Sequence, residues 1–154
     1  MINNPMVLIL CTGNSCRSQM AEGFLKLYQG EKYDVQSAGT DPKPEVHPLA
    51  VRVMNEIGID ISGQRPKSLT AFLGKAPVRH LLIVCDKANG TCPRIWPGTY
   101  TRKYLPFNDP ATFVGSEQET LEEFRKVRDQ IGKAMKTWVP EVERAGRWSN
   151  DNET

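Results

Sequence analysis

Residues 6–18 read Met6-Val7-Leu8-Ile9-Leu10-Cys11-Thr12-Gly13-Asn14-Ser15-Cys16-Arg17-Ser18. Val7 to Leu10 is a continuous apolar run, the pattern of a strand buried on both faces. A turn follows over Thr12 to Asn14. From Ser18 to Tyr28 the residues Met20, Phe24, Leu27 and Tyr28 recur at helical spacing. A strand that feeds a tight turn and then a helix points backbone N–H groups inward, toward the positive end of the helix dipole. A tetrahedral dianion fits that cradle. Gly13 and Asn14 tolerate the positive φ that a tight concave loop requires. Arg17 adds a planar fork that can hold two oxyanion oxygens at once. Cys11 then lies under the anion, where amides, dipole and Arg17 all favour its thiolate, the nucleophilic form. Ser18 is placed to donate a hydrogen bond to that sulfur. The expected oxyanion-binding residues are thus Thr12, Gly13, Asn14, Ser15, Cys16, Arg17 and Ser18. Cys16, inside the loop, also reads simply as a thiol packed against the first helix.

Outward from this stretch, strands and helices alternate. Gly30 ends the first helix, and Tyr33 to Ser37 reads as a second strand. Pro48 to Ile57 carries a helical stripe of Val51, Val53, Met54 and Ile57, closed by Gly58. Ser68 to Leu73 reads as a short helix. His80 to Cys85 is a second strongly apolar strand, and Tyr100 to Leu105 a fourth strand. Ser116 and Glu119 form a capping box. Leu121, Phe124, Val127, Ile131, Met135 and Trp138 follow at steps of three and four, and Pro140 ends the run. The alternation predicts a three-layer α/β fold. Its core is a four-stranded parallel sheet of order 2-1-3-4 with helices on both faces. Ligands in such sheets bind at the carboxyl ends of the strands, where the strand order reverses. Strands one and three flank that point, and on this reading they end in Cys11 and Cys85.

Composition narrows the function classes. The chain has 154 residues, enough for one domain over residues 1–140, with a polar tail at 141–154 expected to fray. Hydrophobic residues make up 39% and charged residues 25%, which excludes a disordered chain. No apolar run approaches the roughly 20 residues a spanning helix needs. The start Met1-Ile2-Asn3-Asn4-Pro5 lacks a basic region followed by an apolar stretch, so a cytoplasmic protein is expected. The net charge of +2 comes from 20 basic and 18 acidic residues mixed along the chain. That mixing argues against nucleic acid and anionic membrane as partners. There is no Ser-His-Asp set, no Walker loop and no dinucleotide fingerprint. His47 and His80 read as structural or solvated.

The four cysteines are Cys11, Cys16, Cys85 and Cys92. In a reducing compartment they are catalytic, metal-binding or simply buried. The gaps of four and six residues do not match Cys-x2-Cys knuckles, so no metal site is expected. Ala88-Asn89-Gly90-Thr91, between the last two thiols, is small and flexible enough to bring Cys92 toward Cys85. A disulfide needs Cα atoms within about 7 Å.

The string Cys11-Thr-Gly-Asn-Ser-Cys16-Arg-Ser-Gln-Met-Ala-Glu-Gly23 resembles the signature of a known family. So do Ser37-Ala38-Gly39, Asp60-Ile61-Ser62, Cys85 with Cys92, and Phe107-Asn108-Asp109-Pro110-Ala111. That family is the low-molecular-weight protein tyrosine phosphatases, and the match is nearer to its arsenate reductase branch. It spans residues 6 to 139. The resemblance implies the corresponding fold and makes Asp109 the general acid. A carboxyl beside an oxyanion and a thiolate is pushed toward its protonated form by like charge. An ordinary Asp-Pro turn is the plainer reading of the same pair.

The resemblance further implies a thiol relay. Cys11 attacks arsenate, Cys85 attacks Cys11 as arsenite leaves, and Cys92 resolves the disulfide. Thioredoxin is then the electron donor, with no bound cofactor and a monomer expected. The alternative is a phosphatase using a Cys11 phosphoenzyme, which needs neither Cys85 nor Cys92. A third reading is a thiol redox sensor without turnover. Phosphatases of this fold place a tyrosine after the Asp-Pro pair. Here Ala111 and Thr112 follow, although Trp96, Tyr104 or Phe107 could line a groove. Some reductases of the branch hold potassium through counterparts of Asn14, Glu22 and Ser37 plus an aspartate. That aspartate position holds Lys67 here, whose ammonium would take the ion's place against Glu22 and support the loop.

Overall fold

The computed structural model of the chain describes residues 4–75, 77–84, 99 and 101–140. Cys85, Cys92, Trp96 and the tail at 141–154 lie outside the described residues.

The apolar run forms the central strand, β1 (Met6–Cys11). Val7, Leu8, Ile9 and Leu10 are each fully buried. Successive side chains of a strand point to opposite faces, so both faces of the sheet are covered here. β1 pairs in parallel with β2 (Asp34–Gly39) on one side and β3 (Val78–Ile83) on the other. The edge strand β4 (Thr101–Tyr104) pairs with β3, also in parallel, giving the order β2-β1-β3-β4. Arg102 and Tyr104 are exposed on that edge, a charged and bulky border that discourages further strand pairing. The strand order predicted from the alternation is the order observed.

Boundaries differ where tertiary pairing overrides the local pattern. β2 runs on to Gly39 because Cys11 pairs with Gly39 at the end of β1. β3 begins two residues before His80 and stops at Ile83, short of Cys85. Its last paired residue, Ile83, faces Leu10, and the next N–H, that of Val84, still donates to Leu10 O at 3.0 Å. His80 is therefore a strand residue. It is buried, and its Nδ1 lies 2.8 Å from Thr101 Oγ1. The helix expected over Ser68–Leu73 shrinks to a 3-10 turn, Leu69–Ala71.

Three helices complete the described fold: α1 (Arg17–Gln29), α2 (Pro48–Glu56) and α3 (Glu117–Thr137). Ser116 and Glu119 cap α3 reciprocally, as predicted. Its stripe of Leu121, Phe124, Val127, Ile131 and Met135 is buried. α2 starts at Pro48, and His47 accepts the Leu49 N–H through Nδ1 at 3.1 Å. Glu56 on α2 meets Arg125 and Arg128 of α3 at 2.7 and 3.0 Å. The hydrogen bonds from Arg125 hold the Glu56 carboxyl down at about 2. No helix among the described residues is long and apolar enough to cross a membrane.

Candidate active site

The loop between β1 and α1 is held from behind. Each carbonyl from Cys11 to Cys16 has a protein partner. Thr40 N–H donates to Cys11 O at 3.1 Å, Asp41 N–H to Thr12 O at 2.9 Å and Lys43 N–H to Gly13 O at 2.9 Å. His47 N–H donates to Ser15 O at 2.8 Å and Met20 N–H to Cys16 O at 3.0 Å. Gln19 Nε2 takes Asn14 O at 2.9 Å. With the carbonyls engaged on the outside, the peptide planes turn their amides toward the concave side. The chain from Thr40 to His47 thus acts as a strap against the back of the loop. Gln19 is itself fully buried and is held by Gln64 Nε2 at 2.8 Å.

Asn14 is the keystone. It is fully buried and is the one non-glycine described residue with positive φ, at 48°. Its Nδ2 donates to Ser18 Oγ at 2.8 Å and to Ser37 Oγ at 2.9 Å, and its Oδ1 accepts Lys67 N–H at 2.8 Å. The amide side chain spends three of its hydrogen bonds on the loop's own supports. Gly13 departs from expectation, since it does not have positive φ. Its lack of a side chain serves a close approach. A Cβ there would lie 3.3 Å from both Cγ and Cε of Lys43. Gly39 likewise permits an approach: a Cβ would collide with the Thr12 carbonyl and lie 3.0 Å from Asn14 Cβ.

Cys11 sits at the floor, 3% exposed and not in a disulfide. α1 starts at Arg17 with Cys16 as N-cap and no side-chain capping bond. The Arg17 guanidinium is oriented by the Phe107 carbonyl, 3.1 Å from Nη1, and by Asp109, whose Oδ2 is 3.4 Å from Nη2. Its Nε is buried and has no hydrogen-bond partner among the described residues. Buried donors are nearly always satisfied, so such an atom beside uncapped helix amides marks where an anion's oxygen would sit.

Asp109 reaches the site because Leu105 N–H and Phe107 N–H bind the carbonyls of Ile83 and Val84, at 2.8 and 3.2 Å. Its Oδ1 accepts Ala111 N–H at 3.0 Å and caps the 3-10 turn Pro110–Thr112. The Asp-Pro pair is thus both the turn of the plainer reading and a carboxylate beside Arg17. Phe107 lines the same cleft as Cys11, together with Ala111 and Thr112.

Behind the loop lies a buried charge cluster. Glu22, 2% exposed, accepts the Ser37 hydroxyl at 2.5 Å and pairs with Lys26 at 2.6 Å. Lys67 Nζ stands 3.8 Å from Glu22 Oε1. Burial, opposed by Glu22 and helped by Lys26, draws the Lys67 pKa below its ordinary value. Asn14, Ser37, Glu22 and Lys67, the set that the family resemblance implies, are linked by these contacts. Among the described residues no group of acidic, Cys and His side chains is arranged to hold a metal.

Cys16 is buried, and desolvation followed by the charge of Asp109 raises its pKa well above the ordinary thiol range, despite Arg17. Burial thus disfavours its thiolate form. Asp41, Lys43 and His47 line the cleft of about 590 Å³ with the predicted residues, and sequence reasoning had given none of them a place there. Their signal was weak: they stand in a Pro-rich connection whose path is set by pairing with the loop. His47 also packs on Phe124, with ring centroids 4.8 Å apart. Desolvation lowers its pKa against the pull of Asp109.

Known proteins resemble this chain along most of its length. The family model described as low molecular weight phosphotyrosine protein phosphatase matches residues 6–147. The arsenate reductase of Halalkalibacterium halodurans is 44% identical over 139 residues, covering 90% of this chain and 97% of that protein. The arsenate reductase of Bacillus subtilis strain 168 is 40% identical over the same shares. A solved arsenate reductase in a phosphate binding state superposes with TM-score 0.68 at 33% identity, covering 85% of this chain and 93% of that one. A thioredoxin-dependent arsenate reductase of Corynebacterium glutamicum gives 0.59 at 31%, covering 86% of this chain and 62% of that one. A tyrosine phosphatase of Erwinia amylovora shares the fold at TM-score 0.67 and 22% identity, covering 90% of this chain and 91% of that one. With the matched region running from β1 past the end of α3, the chain belongs to the low molecular weight phosphotyrosine protein phosphatase family and groups within it with the arsenate reductases.

Proposed function

We propose that the protein reduces arsenate to arsenite through a three-thiol relay renewed by thioredoxin, acting as a cytoplasmic monomer. The observation that carries the oxyanion reading is the loop itself: outward carbonyls, an uncapped helix start, and a buried Arg17 Nε without a partner among the described residues, all around Cys11. The choice of reductase over phosphatase leans on the relatives at 44% and 40% identity and on Cys85 and Cys92.

In this reading the Cys11 thiolate attacks arsenic, and the As–O bond to a hydroxyl breaks with Asp109 supplying the proton, so water leaves. Ser18 Oγ accepts from Asn14, which leaves its own O–H to be donated to the sulfur in this reading. Cys85 thiolate then attacks Cys11 sulfur. The S–As bond breaks, its electron pair stays on arsenic, and As(V) becomes As(III), which leaves as arsenite. Cys92 thiolate attacks Cys85, frees Cys11 and leaves a Cys85–Cys92 disulfide for the thioredoxin dithiol. Lys67 serves in place of a potassium ion. A potassium ion at Glu22 would be a third cation beside two ammonium groups already there, so the residues do not fit the ion.

The phosphatase reading shares Cys11, Arg17 and Asp109, and the same loop accepts phosphate. The test is arsenate-dependent NADPH consumption with thioredoxin and thioredoxin reductase. Sustained turnover is expected from the wild type and none from Cys11→Ser. Cys92→Ser should stop after one turnover yet still hydrolyse an aryl phosphate. Full arsenate turnover by Cys92→Ser would sink the relay, and absence of wild-type turnover with active aryl phosphate hydrolysis would favour the phosphatase.

A further inference from the structure

The connection that straps the loop also carries a cation across it. Lys43 N–H holds Gly13 O, and its side chain then runs over the same glycine, with Cγ and Cε 3.3 Å from where a Cβ would stand. Its ammonium is one bond beyond. Lys43 is exposed, lines the cleft with Cys11 and Arg17, and has no ion-pair partner among the described residues. Gly13 is therefore matched to Lys43: any side chain at 13 would lift the lysine stem off the loop.

The charges in the cleft give that lysine a task. Among the described residues its ionisable lining is Arg17 and Lys43 against Asp41 and Asp109, with Cys11, Cys16 and His47. Desolvation keeps Cys16 a thiol and His47 uncharged at neutral pH. In the reading in which Asp109 supplies a proton, the Cys11 thiolate and the Asp41 carboxylate stand against Arg17 and Lys43, and the charges balance before the oxyanion enters. Without Lys43 the cleft would carry one more negative charge while receiving a dianion. Asp109 holds one face of the Arg17 guanidinium, so Arg17 by itself is already partly spent.

We propose that Lys43 is a capture residue, whose ammonium, laid across Gly13 at the mouth of the cleft, makes entry of a doubly charged tetrahedral oxyanion favourable. This deepens the oxyanion reading above and rests on it. The ammonium touches neither the sulfur nor the leaving oxygen in this role; it raises affinity and entry rate by long-range attraction, the kind of effect that salt screens.

Titration calorimetry with inorganic phosphate on the reduced full chain separates the two levels. Lys43→Met keeps the stem and removes the charge; Lys43→Arg restores it. Lys43→Met is expected to weaken phosphate binding about five-fold at an ionic strength of about 20 mM, with less than about two-fold remaining at about 0.5 M. Lys43→Arg should stay within about two-fold of wild type. With arsenate, Lys43→Met should raise KM by a similar factor and leave kcat unchanged. Equal phosphate affinity in wild type and Lys43→Met overturns the proposal alone. So does a loss that persists unchanged at high salt, because that would be packing and not charge. A wild type that binds no phosphate overturns the oxyanion reading, and this proposal with it.

Discussion

The amino ends of α1 and α3 are built in opposite ways. α3 closes its own start: Ser116 Oγ accepts Glu119 N–H at 3.1 Å, and Glu119 Oε1 accepts Ser116 N–H at 2.9 Å. Two orphan donors are satisfied by side chains three residues apart, in solvent, with no outside help. α1 has no such side chain. Cys16 stands at its cap position without a capping bond, and no acidic residue lies in its first turn. What surrounds this end is support from behind: Asn14, Ser18, Ser37 and Glu22, all nearly or fully buried. A helix end that exists only for stability caps itself. One that must hold an anion leaves its amides open and moves its hydrogen bonding to the loop's outer side.

Three measurements bear on that contrast. The largest effect is expected at α1. Asn14→Ala removes three side-chain hydrogen bonds around the loop, leaves Lys67 N–H without its acceptor, and puts a poor residue at positive φ. A loss of about 2–4 kcal/mol in urea unfolding is expected, with at least about tenfold weaker phosphate binding. Phosphate binding unchanged from wild type would show that the loop's shape does not depend on this residue. At α3, Ser116→Ala should cost about 1 kcal/mol of stability and leave arsenate kcat and KM within error. If it impaired turnover as much as Asn14→Ala, the division between a structural and a functional helix start would fail. The smallest effect is a predicted zero. Replacing sodium by potassium at fixed ionic strength should leave the rate unchanged, because the Lys67 and Lys26 ammoniums already compensate Glu22. A clear rise with potassium would mean that an ion, and not Lys67, braces α1.

Much of this was legible in the chain. Val7–Leu10 was readable as a central strand because burial on both faces leaves no polar position. The α3 start was readable because a capping box is local, needing only Ser116 and Glu119. Cys11, Arg17 and the loop between them were readable because strand, turn and helix are contiguous. Ser68–Leu73 was less so; a single turn has too few residues for periodicity to distinguish an α-helix from a 3-10 turn. Gly13 was assigned to backbone freedom, since sequence offers that reason first. Its actual neighbour, the Lys43 stem, arrives from thirty positions away.

The amino-acid sequence by itself therefore determined the central strand, the loop that follows it and the helix stripes, each written in neighbours along the chain, and the alternation of strands and helices carried the expected strand order. Only the tertiary structure decided which groups hold that loop in shape. The carbonyl partners at Thr40, Asp41, Lys43 and His47, the Lys67 N–H on Asn14, and Asp109 against Arg17 come from separate connections. Such contacts follow from sheet register and from the routes of connections over the strand ends. They are long-range pairings that local pattern does not encode, because a backbone N–H can donate from any residue type except proline.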